Sequence, residues 1–394
     1  MSETAPKKPP LRPSWLPGII DRYLLLQFIQ NLVICYVCMT GMYIVFDLFT
    51  NFDDFLVYGE KHGGVLQVIA EYYGYKAVYF FDRTSGILAL IAAMFTMTWI
   101  QRHNELTAIM AAGVSRGRVT FPVVLASMFV ALLAAANREL GIPSMRDGLS
   151  KNAKDLAGDN ATEVKPRYDN ESDILLRGKE AFGNEQRISV PSFLLPPDMA
   201  RFSKQIVADN AFYLKANEKH PNGYLLRGVQ RPKNLMEAPS VVRHNKRVIV
   251  TPRDEPGWLK PNECFVVSDV DYEQLTGGTG WRQFSSTLSL IRGLSNRSLD
   301  FGADVRVAIH SRFVQPLLDV TLLFLGLPLV ISKGNRNVFL AVGICLVVVV
   351  VFMLVTLGSQ FLGSNVLVDP ALAVWLPLFI FAPAAMAFAD PLLE

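Results

Sequence analysis

Five stretches of this chain run about the thickness of a bilayer without meeting a charge, and a sixth meets one. The uncharged stretches are residues 23–46, 84–100, 119–137, 337–362 and 370–389; residues 313–332 carry Asp319 alone. A spanning helix needs about 20 mostly apolar residues. Inside hydrocarbon no water satisfies backbone N–H and C=O groups, so only helices and closed barrels span, and continuous apolar stretches of this length read as helices. The stretch at 84–100 is slightly short, and the pattern extends it backwards through 77–81. Charged residues make up only 19% of the chain, below the roughly 25% of a soluble domain. The shortfall is concentrated in two blocks, about 20–140 and 308–392, with a polar stretch between them. The composition therefore predicts six spans in a three-plus-three arrangement around one extramembranous domain. The net charge of +3 is too small to point to nucleic acid.

Orientation follows from Lys and Arg in the short connections, which favour the cytoplasm. One set holds Lys7, Lys8, Arg12 and Arg22, then Arg102, Arg116 and Arg118, then Lys333 and Arg336. The opposing short loop, 51–64, offers Lys61 against Asp53, Asp54 and Glu60. Both termini are expected in the cytoplasm and the domain between the blocks outside. Residues 1–17, basic and proline-rich, read as a disordered tail and not a cleavable signal, because the apolar run that follows is long and lacks a small-residue cleavage pattern. Cys35 and Cys38 have the spacing of a redox or metal pair but lie within a spanning stretch, where they read as small apolar side chains. Cys345 also lies in an apolar run. Cys264 alone falls in the polar region, which must fold without an internal disulfide.

That region reads as β. Short apolar runs recur at 174–176, 188–190, 206–208, 212–214, 224–226, 248–250 and 265–267. They are punctuated by Pro196-Pro197-Asp198, by Pro-Asn-Gly at 221–223 and by Thr-Gly-Gly-Thr-Gly at 276–280. Many short strands between regular turns predict a sandwich, jelly roll or barrel. An amphipathic helix is expected to enter it over 143–156. The boundaries predicted are 1–140 for the tail and first three spans, 141–307 for the β domain, and 308–394 for the last three spans.

The connection between the second and third spans, Arg102 to Arg116, is the most informative. Leu106, Ile109 and Met110 share one helical face, Gly113 fits a helix end and Ser115 can cap the next helix. The stretch predicts a short amphipathic helix near the membrane surface, with Glu105 as an acid beside a small apolar face. It is either an ordinary surface helix or a docking helix for a soluble partner. Arg102, Asn104 and Glu105 with Leu-Thr-Ala-Ile at 106–109 and Ala-Ala-Gly-Val-Ser at 111–115 resemble the signature of the LptF/LptG permease family. Asp21-Arg22-Tyr23, Asn137-Arg138-Glu139 before Pro143, His310-Ser311-Arg312 with Pro316, Gly326-Leu327-Pro328-Leu329 and Trp375 with Pro377 resemble other parts of that family. The resemblance covers both membrane blocks and is architectural only in the middle.

The resemblance implies a polytopic α-helical membrane protein of six spans with an inserted periplasmic all-β jellyroll-like domain. It implies a non-catalytic permease subunit of an ABC transporter that exports lipopolysaccharide or a related lipid, in the inner membrane. The implied partners are an LptB-like cytoplasmic ATPase, a second LptF/LptG-type subunit and an LptC-like or LptA-like periplasmic jellyroll protein. Coupling to the ATPase would fall to Glu105 with Arg102, Asn104, Leu106, Ile109 and Gly113. The chain departs from the family in placing Asp82-Arg83 in the second span and Asp47 with Asp53-Asp54 at the outer end of the first.

Ionisable groups inside spans are functional candidates by default. Asp319 is expected to face a cavity or pair with a base. Glu71, Lys76, Asp82 and Arg83 read as headgroup-level or locally paired groups. Arg138, Arg146 and Arg312 cluster in sequence logic at the outer face, where they would meet anionic headgroups or simply anchor the boundary. Phe212 and Phe265 are expected to point into the β domain and meet acyl chains. The sequence carries no Gly-x-x-x-x-Gly-Lys-Ser/Thr loop, no paired-histidine metal motif and no Gly-x-Ser-x-Gly elbow, so no cofactor, metal or catalytic residue is assigned. A membrane-anchored scaffold without transport, or an enzyme of lipid headgroups, are the competing classes. The first is separated by whether an ATPase co-purifies.

Overall fold

A computed structural model describes residues 18–61, 64–151, 153, 162–183, 185–217, 220–243, 246–276, 279–294, 302–331 and 338–389. The expected tail, the bases Lys333 and Arg336, and Gly277-Gly278 lie outside the described residues. Among those described, six helices are long and apolar enough to cross a membrane.

Helix α1 (Ile19–Lys61) and α2 (Val65–Arg102) form a long antiparallel hairpin. Both far exceed the roughly 20 residues that a bilayer requires. Their charge-free segments sit together, and the tip of the hairpin stands beyond them. The connection expected as a loop at 51–64 is therefore mostly helix, bent at Asn51 (φ −119°, ψ 21°). The turn is tight because Gly64 takes φ 117° and a Cβ on Gly59 would sit 2.6 Å from Val65 Cα. Aromatic packing holds the tip, with Phe55 ring centroids 5.2 Å from Tyr72 and 5.7 Å from Tyr73.

The chain continues through α3 (Glu105–Ala111) into α4 (Arg116–Ala136), which ends in one wide π-helical turn, Asn137–Gly141. Two short helices follow, α5 (Ile142–Ser144) and α6 (Arg146–Ser150), broken at Met145. The single amphipathic helix expected over 143–156 is thus two pieces, and residues 154–161 lie outside the described residues.

The polar stretch holds eleven strands: β1 (Thr162–Glu163), β2 (Arg167–Asp169), β3 (Ile174–Leu176), β4 (Glu180–Phe182), β5 (Arg187–Ser189), β6 (Ser192–Leu194), β7 (Gln205–Leu214), β8 (Gly223–Arg231), β9 (Val241–Arg243), β10 (Lys246–Val250) and β11 (Glu263–Val267). All pairings are antiparallel, in the order β1-β4-β5-β7-β8-β11-β10-β9. The sheet branches at β7, whose first half pairs with β6 and second half with β5; β6 continues through β3 to β2. The two arms close over one core that includes Ile174, Leu176, Ile188, Phe193, Tyr213, Tyr224 and Val266. Runs 206–208 and 212–214 belong to the single strand β7. The turn-forming polar pair Asp209-Asn210 between them does not break the strand, because ladder bonds to β8 continue across it.

Strand alternation corrects the reading of two aromatic residues. Phe212, Leu225, Phe265 and Val250 stand in one cross-strand row, on the face opposite the main core. Phe265 is covered there by Trp258 and Leu259. Phe212 is half-buried with the Arg227 guanidinium 4.7 Å above its ring. Phe265 is thus fully buried in a second, smaller core, and neither ring belongs to the main one.

Helices α7 (Tyr272–Leu275), α8 (Thr279–Phe284) and α9 (Thr287–Leu294) lead back to the bundle, which is completed by α10 (Ala303–Ile331), α11 (Val338–Ser364) and α12 (Pro370–Phe388). The bundle core draws on α1, α2, α4 and all three last helices. Close approach is set by Gly326, where a Cβ would meet Leu90 at 2.7 Å and the Cys345 sulfur at 3.0 Å.

Candidate functional site

The bundle has two ends of different construction. At the end holding the start of α1, α3 is set by local chemistry. Asn104 adopts the left-handed region (φ 60°), which a short polar side chain tolerates, and so reverses the chain sharply after α2. The helix closes with a Schellman pair: Gly113 (φ 87°) donates its N–H to Met110 O at 2.9 Å, and Val114 donates to Ile109 O at 3.3 Å. Ser115 Oγ accepts from Arg118 N at 3.3 Å and starts α4.

The orientation of α3 corrects the expectation that its apolar face is offered outward. Leu106 is buried in the bundle core, and Ile109, Met110 and Val114 pack beside it. What α3 presents is its other side, with exposed Asn104, Thr107, Ala108 and Ala111. Glu105 lies at the margin, accepting a hydrogen bond from Tyr23 Oη at 3.0 Å. Asp21 pairs with Arg118 at 2.7 Å. Asp21 and Tyr23 thus tie α1 to α4 and α3, while Arg102 and Gly113 are exposed.

At the opposite end, beside the β strands, a cavity of about 300 Å3 opens between α2, the π-helical turn, α8, α10 and α11. Four guanidinium groups line it: Arg83, Arg138, Arg282 and Arg312. Two carboxylates join them, Asp82 and Asp304, together with Gln283, Ser311, Gln315, Gln360 and Ser364. Asp82 accepts two bonds from Arg138 Nε, at 2.9 and 3.2 Å, and both side chains are largely buried. Asp304 pairs with Arg282. Burial lowers the pKa of Arg282, and repulsion from Arg167 adds to this. Arg312 donates to Ser285 O at 2.7 Å, to Thr287 Oγ1 at 3.3 Å and to Arg282 O at 3.0 Å, with Glu139 3.8 Å away. Glu139 in turn accepts from Thr287 N at 2.9 Å and from the Thr287 hydroxyl. Arg83 lies over the Tyr79 ring, 5.7 Å from its centroid, and pairs with no carboxylate among the described residues.

The structure therefore brings Arg138 and Arg312 together and places Arg146 elsewhere, on α6 and outside the cavity lining. Asp319 lies deeper on α10. Its carboxylate accepts from Gln315 Nε2 at 2.8 Å and packs against α2 where Gly86 leaves room, a Cβ there falling on Asp319 Oδ1. Asp82, expected at headgroup level or locally paired, pairs across helices with Arg138. Glu139 enters the sequence reading only within the Asn137-Arg138-Glu139 motif, and Arg282, Thr287 and Asp304 not at all, because their roles depend on α8 and α9 folding back onto the end of α4. The available signal was the charge of Arg282 and Asp304 on either side of the return to the membrane. On the α2 side of the hairpin Glu71 reaches Lys151 at 3.9 Å and Lys76 donates to Leu149 O at 3.0 Å, tying the hairpin to α6 and the residue after it.

No cluster of three or more metal-binding side chains occurs among the described residues. Cys35 and Cys38 are free thiols.

No curated protein matches the chain. The family described as lipopolysaccharide export system permease LptF/LptG matches residues 22–389, which takes in both helical blocks, α3 and the entire β region. With its six apolar helices divided around an antiparallel sheet, the chain belongs to the LptF/LptG family of lipopolysaccharide export permeases.

Proposed function

We propose that this chain is one permease subunit of an ABC exporter that lifts lipopolysaccharide, or a closely related lipid, out of the inner membrane and hands it to a periplasmic bridge. The division of labour is read as 1–140 and 308–394 for the membrane bundle and 141–307 for the periplasmic domain. The α3 end faces the cytoplasm, since the short connections there carry Arg22, Arg102, Arg116 and Arg118 and basic residues favour that side. An LptB-like ATPase would dock against the exposed side of α3 and its Glu105 margin. A second subunit of the same type would complete the permease, and an LptC-like or LptA-like jellyroll protein would continue the β domain.

The observation that carries this reading is the arginine-lined cavity at the β-domain end of the bundle. Its lining holds four guanidinium groups against two carboxylates, and this surplus positive charge sits where three spans change from charged to apolar residues. An anionic lipid drawn up to this level would leave its acyl chains in the bilayer, where water is excluded, and offer its phosphates to Arg83, Arg138 and Arg312. Hydrolysis in the partner would move α3, and with it α2 and α4, whose far ends build the cavity.

The test is ATP-driven lipid release from proteoliposomes holding the permease, its ATPase and an acceptor jellyroll protein. Arg83→Ala, which breaks no ion pair among the described residues, is expected to lower release while ATPase association persists. Glu105→Ala is expected to weaken association or uncouple hydrolysis from release. Full release by both variants would remove the transport reading of these sites, and failure of any ATPase to co-purify would favour the anchored scaffold.

A further inference from the structure

We propose that α9 (Thr287–Leu294) is an interfacial helix, whose Leu288, Ile291 and Leu294 face rests in the headgroup–acyl boundary of the leaflet on the β-domain side. The proposal needs only that the bundle spans a bilayer; it is independent of what the protein transports.

The helix is amphipathic in an unusual sense for a protein surface. Leu290 is buried against Val305 and Ile309 of α10. Around the helix from Leu290, at 100° per residue, come Leu294, Thr287, Ile291 and Leu288, and then the polar arc of Arg292, Ser289 and Gly293. Leu288, Ile291 and Leu294 are exposed by 65%, 43% and 38%, so an apolar arc continues from the packed seam outward with no protein over it among the described residues.

The height of the helix identifies the occupant. The N-terminus of α9 is pinned by Glu139, which accepts from Thr287 N, and by Arg312, which donates to Thr287 Oγ1. Glu139 follows the charge-free run of α4 and Arg312 precedes that of α10. Asp82, paired with Arg138, lies at the same level of α2. These groups mark the edge of the hydrocarbon. Leu290 meets α10 at Val305 and Ile309, about 5–10 Å beyond Arg312 at 1.5 Å per residue. This is the depth of the polar interfacial layer of a bilayer, about 5–8 Å on each side. The apolar arc is also continuous in height with exposed side chains of the lipid-facing belt, Leu140 beside the pinned terminus and Phe313 one residue below Arg312. A helix with one apolar face at this depth lies in the interface plane. Its consequence is mechanical: the exit of the β domain is held at a fixed height over the membrane, directly beside the cavity that α8 and α10 line.

Spin-label accessibility in the full-length protein tests this directly. The background would be Cys35→Ser with Cys38→Ser, since Cys264 and Cys345 are buried. Single cysteines would replace Leu288, Ile291, Leu294, Ser289 and Arg292, with Phe129 on α4 as the mid-bilayer control. The protein would be placed in nanodiscs of phosphatidylethanolamine and phosphatidylglycerol. Labels at 288, 291 and 294 are expected to collide preferentially with oxygen, and labels at 289 and 292 with a water-soluble nickel chelate. Equal, chelate-dominated collision at all five sites, with the control still in lipid, would overturn the proposal. So would immobile labels at 288, 291 and 294 that neither reagent reaches, because that face would then be covered by protein. A control label that fails to report lipid would instead overturn the placement of the bundle itself.

Discussion

The two ends of the helical bundle solve different problems with different materials. At the α3 end the packing is apolar: Leu106, Ile109 and Met110 turn into the core, and polar contacts such as Tyr23–Glu105 and Asp21–Arg118 sit at the margin. At the β-domain end the polar groups are themselves the packing. Asp82–Arg138 is largely buried, and Arg312 and Glu139 knit α4, α8, α9 and α10 together. The difference teaches how apolar packing and charge are kept to separate ends of one helical bundle. On the proposed function α3 transmits motion, and it is packed to its neighbours by dispersion and burial. The β-domain end pairs its most buried charges, Asp82 with Arg138, since an unpaired charge at that depth would be costly, and leaves its surplus arginine charge facing the cavity that the proposed function gives to an anionic group.

The sharpest way to break this comparison is to remove one partner of the buried pair. Arg138→Ala leaves Asp82 without its cation, and the loss is expected to be about 3–5 kcal/mol of bundle stability. Asp82→Asn combined with Arg138→Gln is expected to recover most of it. Unfolding in detergent, followed by helical circular dichroism, reads both; a double variant no better than the single would show that the pair is not the stabilising unit. Next in size is Leu106→Ala, expected to cost about 2–3 kcal/mol as a buried leucine truncation. A near-neutral result would mean that α3 is not welded inward. Glu139→Ala removes the acceptor of Thr287 N and is expected to cost about 1.5–2 kcal/mol, as loss of a charge-assisted hydrogen bond. Faster amide exchange across α9, with α1 unchanged, would localise the effect. The smallest stability effect belongs to Glu105→Ala, below about 1 kcal/mol for a marginal, solvent-exposed contact. Its measurable consequence is expected in the coupling assay, so a stability loss rivalling Leu106→Ala would erase the contrast between margin and core.

The β domain adds a quieter contrast. Its buried Tyr213 hydroxyl is raised in pKa by burial and by its hydrogen bond to Asp271, 2.5 Å away. Burial pushes the Cys264 thiol up to about 12, so this cysteine is a packed apolar side chain and not a reactive one. Both are polar atoms absorbed into a soluble-type core, unlike the cavity arginines, whose positive surplus is left facing a space.

Much of this molecule was legible in the amino-acid order. Charge-free runs of about 20 residues specify spanning helices without tertiary information, because a helix satisfies its backbone within its own segment while a strand would need barrel neighbours. Gly113 and Ser115 mark the end of α3 and the start of α4 by local turn and cap chemistry, as the sequence reads, while the left-handed Asn104 at its start was seen only in the structure. The alternation of short apolar runs was enough for an antiparallel domain. Only the tertiary structure decided which way each element faces. The leucine face of α3 could have met a partner, and packing turned it inward. Phe212 and Phe265 could have pointed into the main core, and the register across β7, β8 and β11 put them on the other face, where Phe265 is buried under Trp258 and Leu259, since a shift of one residue exchanges the faces of a strand. Arg138, Arg146 and Arg312 were equivalent as sequence. Their separation into two cavity residues and one bystander came from the π-helical turn at Asn137–Gly141 and the return of α8 and α9, contacts between residues about 150 positions apart that no local pattern encodes.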